Sequence, residues 1–121
     1  MTKTILTVDD SRTMRQMLLR ALQEAGFNVV QAEDGVHGLE VLQGALPDVI
    51  ITDVNMPRMD GLTFIEEVRA DRSKRAIPIL VLTTESDAEK KARARRAGAT
   101  GWIVKPFDPV KLVTAINRVA A

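Results

Sequence analysis

Four short runs of contiguous, mostly β-branched apolar residues are spread along the chain: Ile5-Leu6-Thr7-Val8, Val49-Ile50-Ile51, Ile79-Leu80-Val81-Leu82 and Ile103-Val104. A strand with one wet face alternates apolar and polar residues, so an unbroken apolar run calls for cover on both faces. Val29-Val30, after Gly26-Phe27, is a fifth candidate. The segments between the runs have a different period. Met14, Met17, Leu18 and Leu22 recur at three and four, as do Phe64, Ile65 and Val68, and again Leu112, Val113, Ile116 and Val119, the spacing of a helix with one apolar stripe. Start signals agree: Asp60 precedes Gly61, Ser86-x-x-Glu89 reads as a capping box, and Asp108-Pro109 places a cap before a first-turn proline.

The spacing therefore predicts strands near 4–8, 28–32, 48–52, 78–82 and 101–104. Helices are predicted near 12–25, 36–44, 61–70, 86–97 and 109–120. Five strand–helix alternations imply an α/β fold, a doubly wound, five-stranded parallel sheet with helices on both faces. A closed eight-stranded barrel needs roughly 200 residues or more, and this chain has 121. No repeat, linker or low-complexity tract divides it, so residues 1–121 read as one domain.

Composition narrows the chemistry. With no cysteine, thiolate metal sites, disulfides and Cys nucleophiles are excluded. One histidine and no tyrosine leave carboxylates, hydroxyls and lysine. His37 falls on the second helix, expected to face solvent without companion ligands, and Met17, Met56 and Met59 read as packing or loop residues. Gly61, Gly98 and Gly101 read as turn or cap positions. A net charge of +1 provides no general field for nucleic acid or membrane, and the start of the chain carries no long apolar stretch. A cytoplasmic protein that binds neither is expected.

Open parallel sheets place their sites beyond the carboxyl ends of the strands. There the chain reads Asp9-Asp10-Ser11 after the first predicted strand and Asp53-Val54-Asn55 after the third. After the fourth and fifth it reads Thr83-Thr84-Glu85 and Lys105-Pro106. Singly these are ordinary caps, turns and loops, with Asp10 or Ser11 a natural cap for the first helix. Together they bring three carboxylates, a hydroxyl and an ammonium to one place. Crowded carboxylates repel and raise one another's proton affinity. A hard divalent cation such as Mg²⁺ relieves that, while lysine and threonine suit phosphoryl oxygens. Metal-assisted transfer of a phosphoryl group to an aspartate fits the set.

On these motifs the whole chain resembles the receiver domain of two-component response regulators, in particular the stand-alone chemotaxis group. The resemblance implies a flavodoxin-like strand order 2-1-3-4-5 and an Asp53 phosphorylated by a CheA-type histidine kinase. It further implies Mg²⁺ held by Asp9, Asp10, Asp53 and the backbone carbonyl of Asn55. Lys105 would meet the phosphoryl group, Thr83 would be the switch hydroxyl, and Lys105–Pro106 would be a cis peptide. Trp102 stands at the switch-aromatic position, where the family usually has Tyr or Phe, and Thr84 stands where a small residue is usual.

The helix after Thr83 has only alanines as apolar residues, so it is expected to grip the sheet more weakly than the last helix. Thr83, drawn toward phosphoryl oxygens, would then reshape this loop and helix. Lys90, Lys91 and Arg95 on that helix, with Thr84, Glu85, Trp102 and Lys111, form the expected partner face for a flagellar-motor switch protein. The chain stops just after the last predicted helix, so an unattached monomer with no output domain is expected, assisting only its own phosphorylation and dephosphorylation. A phosphate sink and a phosphorelay intermediate share the same pocket and remain open. A haloacid-dehalogenase-type phosphatase would need an acid two residues after the nucleophile, and that position is Asn55.

Overall fold

The computed structural model describes residues 2–120 and has the alternating architecture. The strands are β1 (Thr4–Val8), β2 (Asn28–Ala32), β3 (Val49–Thr52), β4 (Ile79–Thr83) and β5 (Gly101–Val104). The helices are α1 (Arg12–Glu24), α2 (Gly35–Gly44), α3 (Gly61–Ala70), α4 (Ala88–Ala97) and α5 (Pro109–Val119). All strand pairs are parallel, in the order β2-β1-β3-β4-β5. The chain winds outward from β1 in one direction and from β3 in the other, so the gap beyond their carboxyl ends is the switch point where such sheets hold ligands.

Two hydrophobic layers sandwich the sheet. Ile5, Ile51 and Leu82 pack with Leu18 and Leu22 of α1 and with Leu112 and Ile116 of α5. On the other face Leu6, Val8, Ile50 and Val81 pack with Leu42 of α2, Phe64, Ile65 and Val68 of α3 and Ala94 of α4. The three central strands are covered on both faces, as their unbroken apolar runs require. The edge strands are not: Val30 and Val104 are exposed. An edge strand has a neighbour on one side only, and the helices do not reach around it.

Several boundaries differ from expectation. Helix α4 starts at Ala88, because Asp87 and not Ser86 accepts the first free amide, that of Glu89, at 2.7 Å. Helix α2 starts at Gly35, capped by Asp34 through the His37 amide. Gly101, also read as a turn or cap position, opens β5, which spans the predicted 101–104. A short 3₁₀ turn, Arg72–Lys74, capped by Asp71, carries no apolar period by which the sequence could have revealed it. Met17, expected in the apolar stripe of α1, is exposed, and Met14, Leu18 and Leu22 pack against the sheet instead. His37 is half-buried, not solvent-facing, and its Nδ1 accepts the Glu33 amide at 3.2 Å.

Candidate functional site

The end of β1 turns into α1 through Asp9, Asp10 and Ser11. Ser11 caps the helix by accepting the Met14 amide, and its own amide donates to Asp9 Oδ1 at 2.8 Å. Arg15, one turn into α1, donates to the Asp9 carbonyl oxygen. Asp9 is thereby fixed and buried, whereas Asp10 points outward and is exposed. Asp53 follows β3 and is nearly buried, its Oδ1 accepting the Val54 amide at 2.7 Å. The next helix begins close behind it. A Cβ on Gly61 would overlap the Asp53 carbonyl oxygen, so only glycine lets α3 start there.

From the end of β5, Lys105 reaches across two strands. Its Nζ lies 2.9 Å from Asp9 Oδ2 and 3.0 Å from Asp53 Oδ2. The Lys105–Pro106 peptide is cis. Burial by itself would lower the affinity of Lys105 for its proton, but the two carboxylates together raise it, and the ammonium is retained. For Asp9 burial is the largest influence and pushes the carboxyl above its ordinary range, against the pull of Lys105 and the Ser11 amide. Asp53 pushes in the same direction as burial. Three carboxylates meet a single lysine, so the negative charge gathered here is not fully compensated.

Asp9, Asp10 and Asp53 can each offer an oxygen within 4.8 Å of the others. Three carboxylate oxygens that close, one exposed and two buried, suit a hard cation that keeps some water. Thr83 is fully buried at the end of β4, and its hydroxyl accepts the Glu85 amide at 3.3 Å. It is thus turned toward its own loop.

Glu85 ties this loop to three elements. Its carboxylate accepts from the Asn55 side chain at 3.1 Å and pairs with Lys90 of α4 at 3.2 Å, while its carbonyl accepts the Trp102 indole N–H at 3.1 Å. The Asn55 bond, and after it Lys90, hold the Glu85 carboxyl below its usual range. Trp102 is half-buried. A recess of about 70 Å³ brings it beside Lys91 and Arg95, and a second cleft brings it beside Lys111. Thr84 is exposed just before α4. The residues expected on a partner face thus border one another.

Sequence reasoning missed one feature of the site's surroundings. Arg58, in the loop after Asp53, makes a bidentate ion pair with buried Asp34 at 2.7 and 3.0 Å. Asp34-Gly35 before a helix was a readable cap signal. No local signal joins Asp34 to Arg58, because that contact exists only once two loops meet.

The family model of the response regulator receiver domain matches residues 5–117. The chain is 38% identical to chemotaxis protein CheY-3 of Vibrio cholerae over 95% of this chain and 89% of that protein. It is 44% identical to chemotaxis protein CheY1 of Helicobacter pylori over 87% of this chain and 86% of that one. Among solved structures, that of Vibrio cholerae chemotaxis protein CheY4 is similar with a TM-score of 0.94 and 47% identity, covering 98% of this chain and 99% of the other.

Proposed function

Because the chain belongs to the response regulator receiver domain family, as a CheY-like chemotaxis regulator, we propose that it accepts a phosphoryl group on Asp53 from a CheA-type histidine kinase. The single observation that carries this is the convergence of Lys105 on Asp9 and Asp53, with Asp10 in reach, beyond the carboxyl ends of β1, β3 and β5. The Asp53 carboxylate attacks phosphorus as the donor's phosphorus–nitrogen bond breaks, and the imidazole leaves with that electron pair and takes up a proton. The Val54 amide orients Asp53 through Oδ1, and Lys105 holds a fixed positive charge where negative charge gathers on the transferred group.

Asp9, Asp10, Asp53 and the Asn55 carbonyl would hold Mg²⁺. Bound there, Mg²⁺ supplies compensation for the crowded carboxylates and for charge on the phosphoryl oxygens. Afterwards the Thr83 hydroxyl exchanges its Glu85 amide contact for a phosphoryl oxygen. That loosens the loop joining Glu85, Trp102 and α4. The face formed by Thr84, Glu85, Lys90, Lys91, Arg95, Trp102 and Lys111 then takes up a flagellar-motor switch protein. The domain acts in the cytoplasm and assists its own phosphorylation and dephosphorylation.

The test is phosphotransfer from labelled kinase to this protein and to Asp53→Asn, followed by capture of motor-switch protein. Label should transfer to the native chain, and the substitution should reduce it by at least a hundredfold; label surviving on the variant overturns the choice of Asp53. Phosphorylation without motor capture would point to a phosphate sink or relay.

A further inference from the structure

The loop between Asp53 and α3 holds a backbone conformation that its sequence does not favour. Arg58 has φ +64°, and the Met59 amide donates to the Pro57 carbonyl at 2.7 Å. This is a tight γ-turn with positive φ at its centre, strained for any residue bearing a Cβ and kept only where the surroundings impose it. The surroundings here are Asp34, whose side chain is only 4% exposed. Both its oxygens accept from the Arg58 guanidinium, and Oδ1 also accepts the His37 amide that starts α2. The Arg58 hydrogen bonds, outweighing burial, hold the Asp34 carboxyl below its ordinary range. Met59 closes over the same helix start: a Cβ on Gly35 would come within 2.8 Å of its Cγ. At its other end the loop is closed by the Gly61 amide on the Val54 carbonyl at 2.7 Å. Asn55 lies between these two fastenings.

We propose that Asp34 and Arg58 are positioning residues for the cation site, a latch that fixes the loop bearing the Asn55 carbonyl and so sets Mg²⁺ affinity. The inference rests on the reading of the carboxylates and Asn55 given above. Without the ion pair the Arg58 guanidinium loses its hydrogen-bonded anchor and keeps only the longer-range pull of Glu33 and Glu40. The turn then relaxes toward ordinary backbone, and Asn55, three residues earlier, loses its fixed orientation. Neither latch residue touches the carboxylate cluster, so the effect is transmitted through backbone geometry.

Calorimetric Mg²⁺ titration of the native chain, Asp34→Asn, Arg58→Gly and the double variant tests this. Asparagine still caps a helix and glycine accepts positive φ, so each change removes the ion pair without violating local backbone needs. Each single variant should raise the Mg²⁺ dissociation constant about tenfold, and the double variant no further. Amide exchange at residues 54–60 of the metal-free protein should quicken in all three. A mere field effect predicts opposite signs, since losing the Arg58 charge tightens cation binding and losing the Asp34 charge weakens it. Opposite signs, or unchanged affinity in folded variants, overturn the latch. Should Arg58→Gly not fold, Arg58→Asn, which also tolerates the left-handed region, makes the same comparison. A native chain that binds no Mg²⁺ overturns both the latch and the function it serves, and does so before any substitution is made.

Discussion

Helices α4 and α5 flank the same edge strand, β5, yet are held in different ways. Helix α5 buries Leu112 and Ile116 against β1, β3 and β4, with Ala115 and Val119 partly covered. Asp108 accepts two amides at its start, ahead of a first-turn proline. Helix α4 buries only Ala94 fully. Its capping carboxylate accepts one amide, and Lys90 meets Glu85 at the surface. Its far end is better secured: Gly98 takes a left-handed cap, and Arg69 of α3 donates to the Gly98 carbonyl at 3.1 Å. So α4 is pinned at its carboxyl end and lightly held at the end nearest Thr83. Apolar area sets how firmly an element is held, and a helix that must respond to a distant charge cannot bury much of it.

The sharpest way to break this contrast is to truncate the best buried side chain of each helix. Ile116→Ala should destabilise the protein by about 3 kcal/mol through the cavity it leaves. Ala94→Gly should cost about 1 kcal/mol, mostly from helix propensity. Equal losses in chemical denaturation, or equal amide protection of the two helices in the native chain, would sink the distinction. Removing the caps sharpens it further. Asp108→Ala should lower global stability by about 1 kcal/mol. Asp87→Ala should speed exchange in the first turns of α4 while leaving the denaturation midpoint nearly unchanged, since α4 opens without the rest.

The smallest expected effect is a pH dependence confined to α4. The Glu85 carboxyl is held below its usual range by Asn55 and Lys90. A depressed carboxyl contributes stability that is complete above its unfolded pKa and is lost as pH falls through the folded one. Acidification below about pH 4.5 should therefore quicken exchange at residues 85–90 and alter Trp102 fluorescence. Glu85→Gln should remove that dependence, and α5 should show none of it. Asp9 has the opposite sign: its carboxyl is raised by burial, so the contribution is present at low pH and fades as pH climbs through the raised value.

The layered fold was legible because β-branched runs and three-and-four spacing are local signals that burial on both sheet faces enforces. Helix starts were legible where a cap stood beside a proline or glycine, as at Asp108-Pro109 and Asp60-Gly61. At Ser86 and Asp87 two adjacent residues could each cap, and only the path of the loop selected Asp87. The acidic cluster was legible because the carboxyl ends of central parallel strands must adjoin. The outward turn of Asp10 and the attachment of the Thr83 hydroxyl to its own loop were not, since rotamers depend on neighbours brought in from elsewhere.

What the residues determined unaided is therefore whatever follows from short-range periodicity and from the obligation to cover apolar strands: the sheet, its helices, and the edge at which charge must gather. Tertiary structure decided the atomic pairing within that cluster and the whole of the Arg58–Asp34 contact. Lys105 reaches Asp9 across 96 positions of chain, and Arg58 meets Asp34 across 24. No local preference encodes such pairs. They form because packing two layers onto one sheet brings distant loops together and leaves Asp9 and Asp34 buried where a cation must meet them.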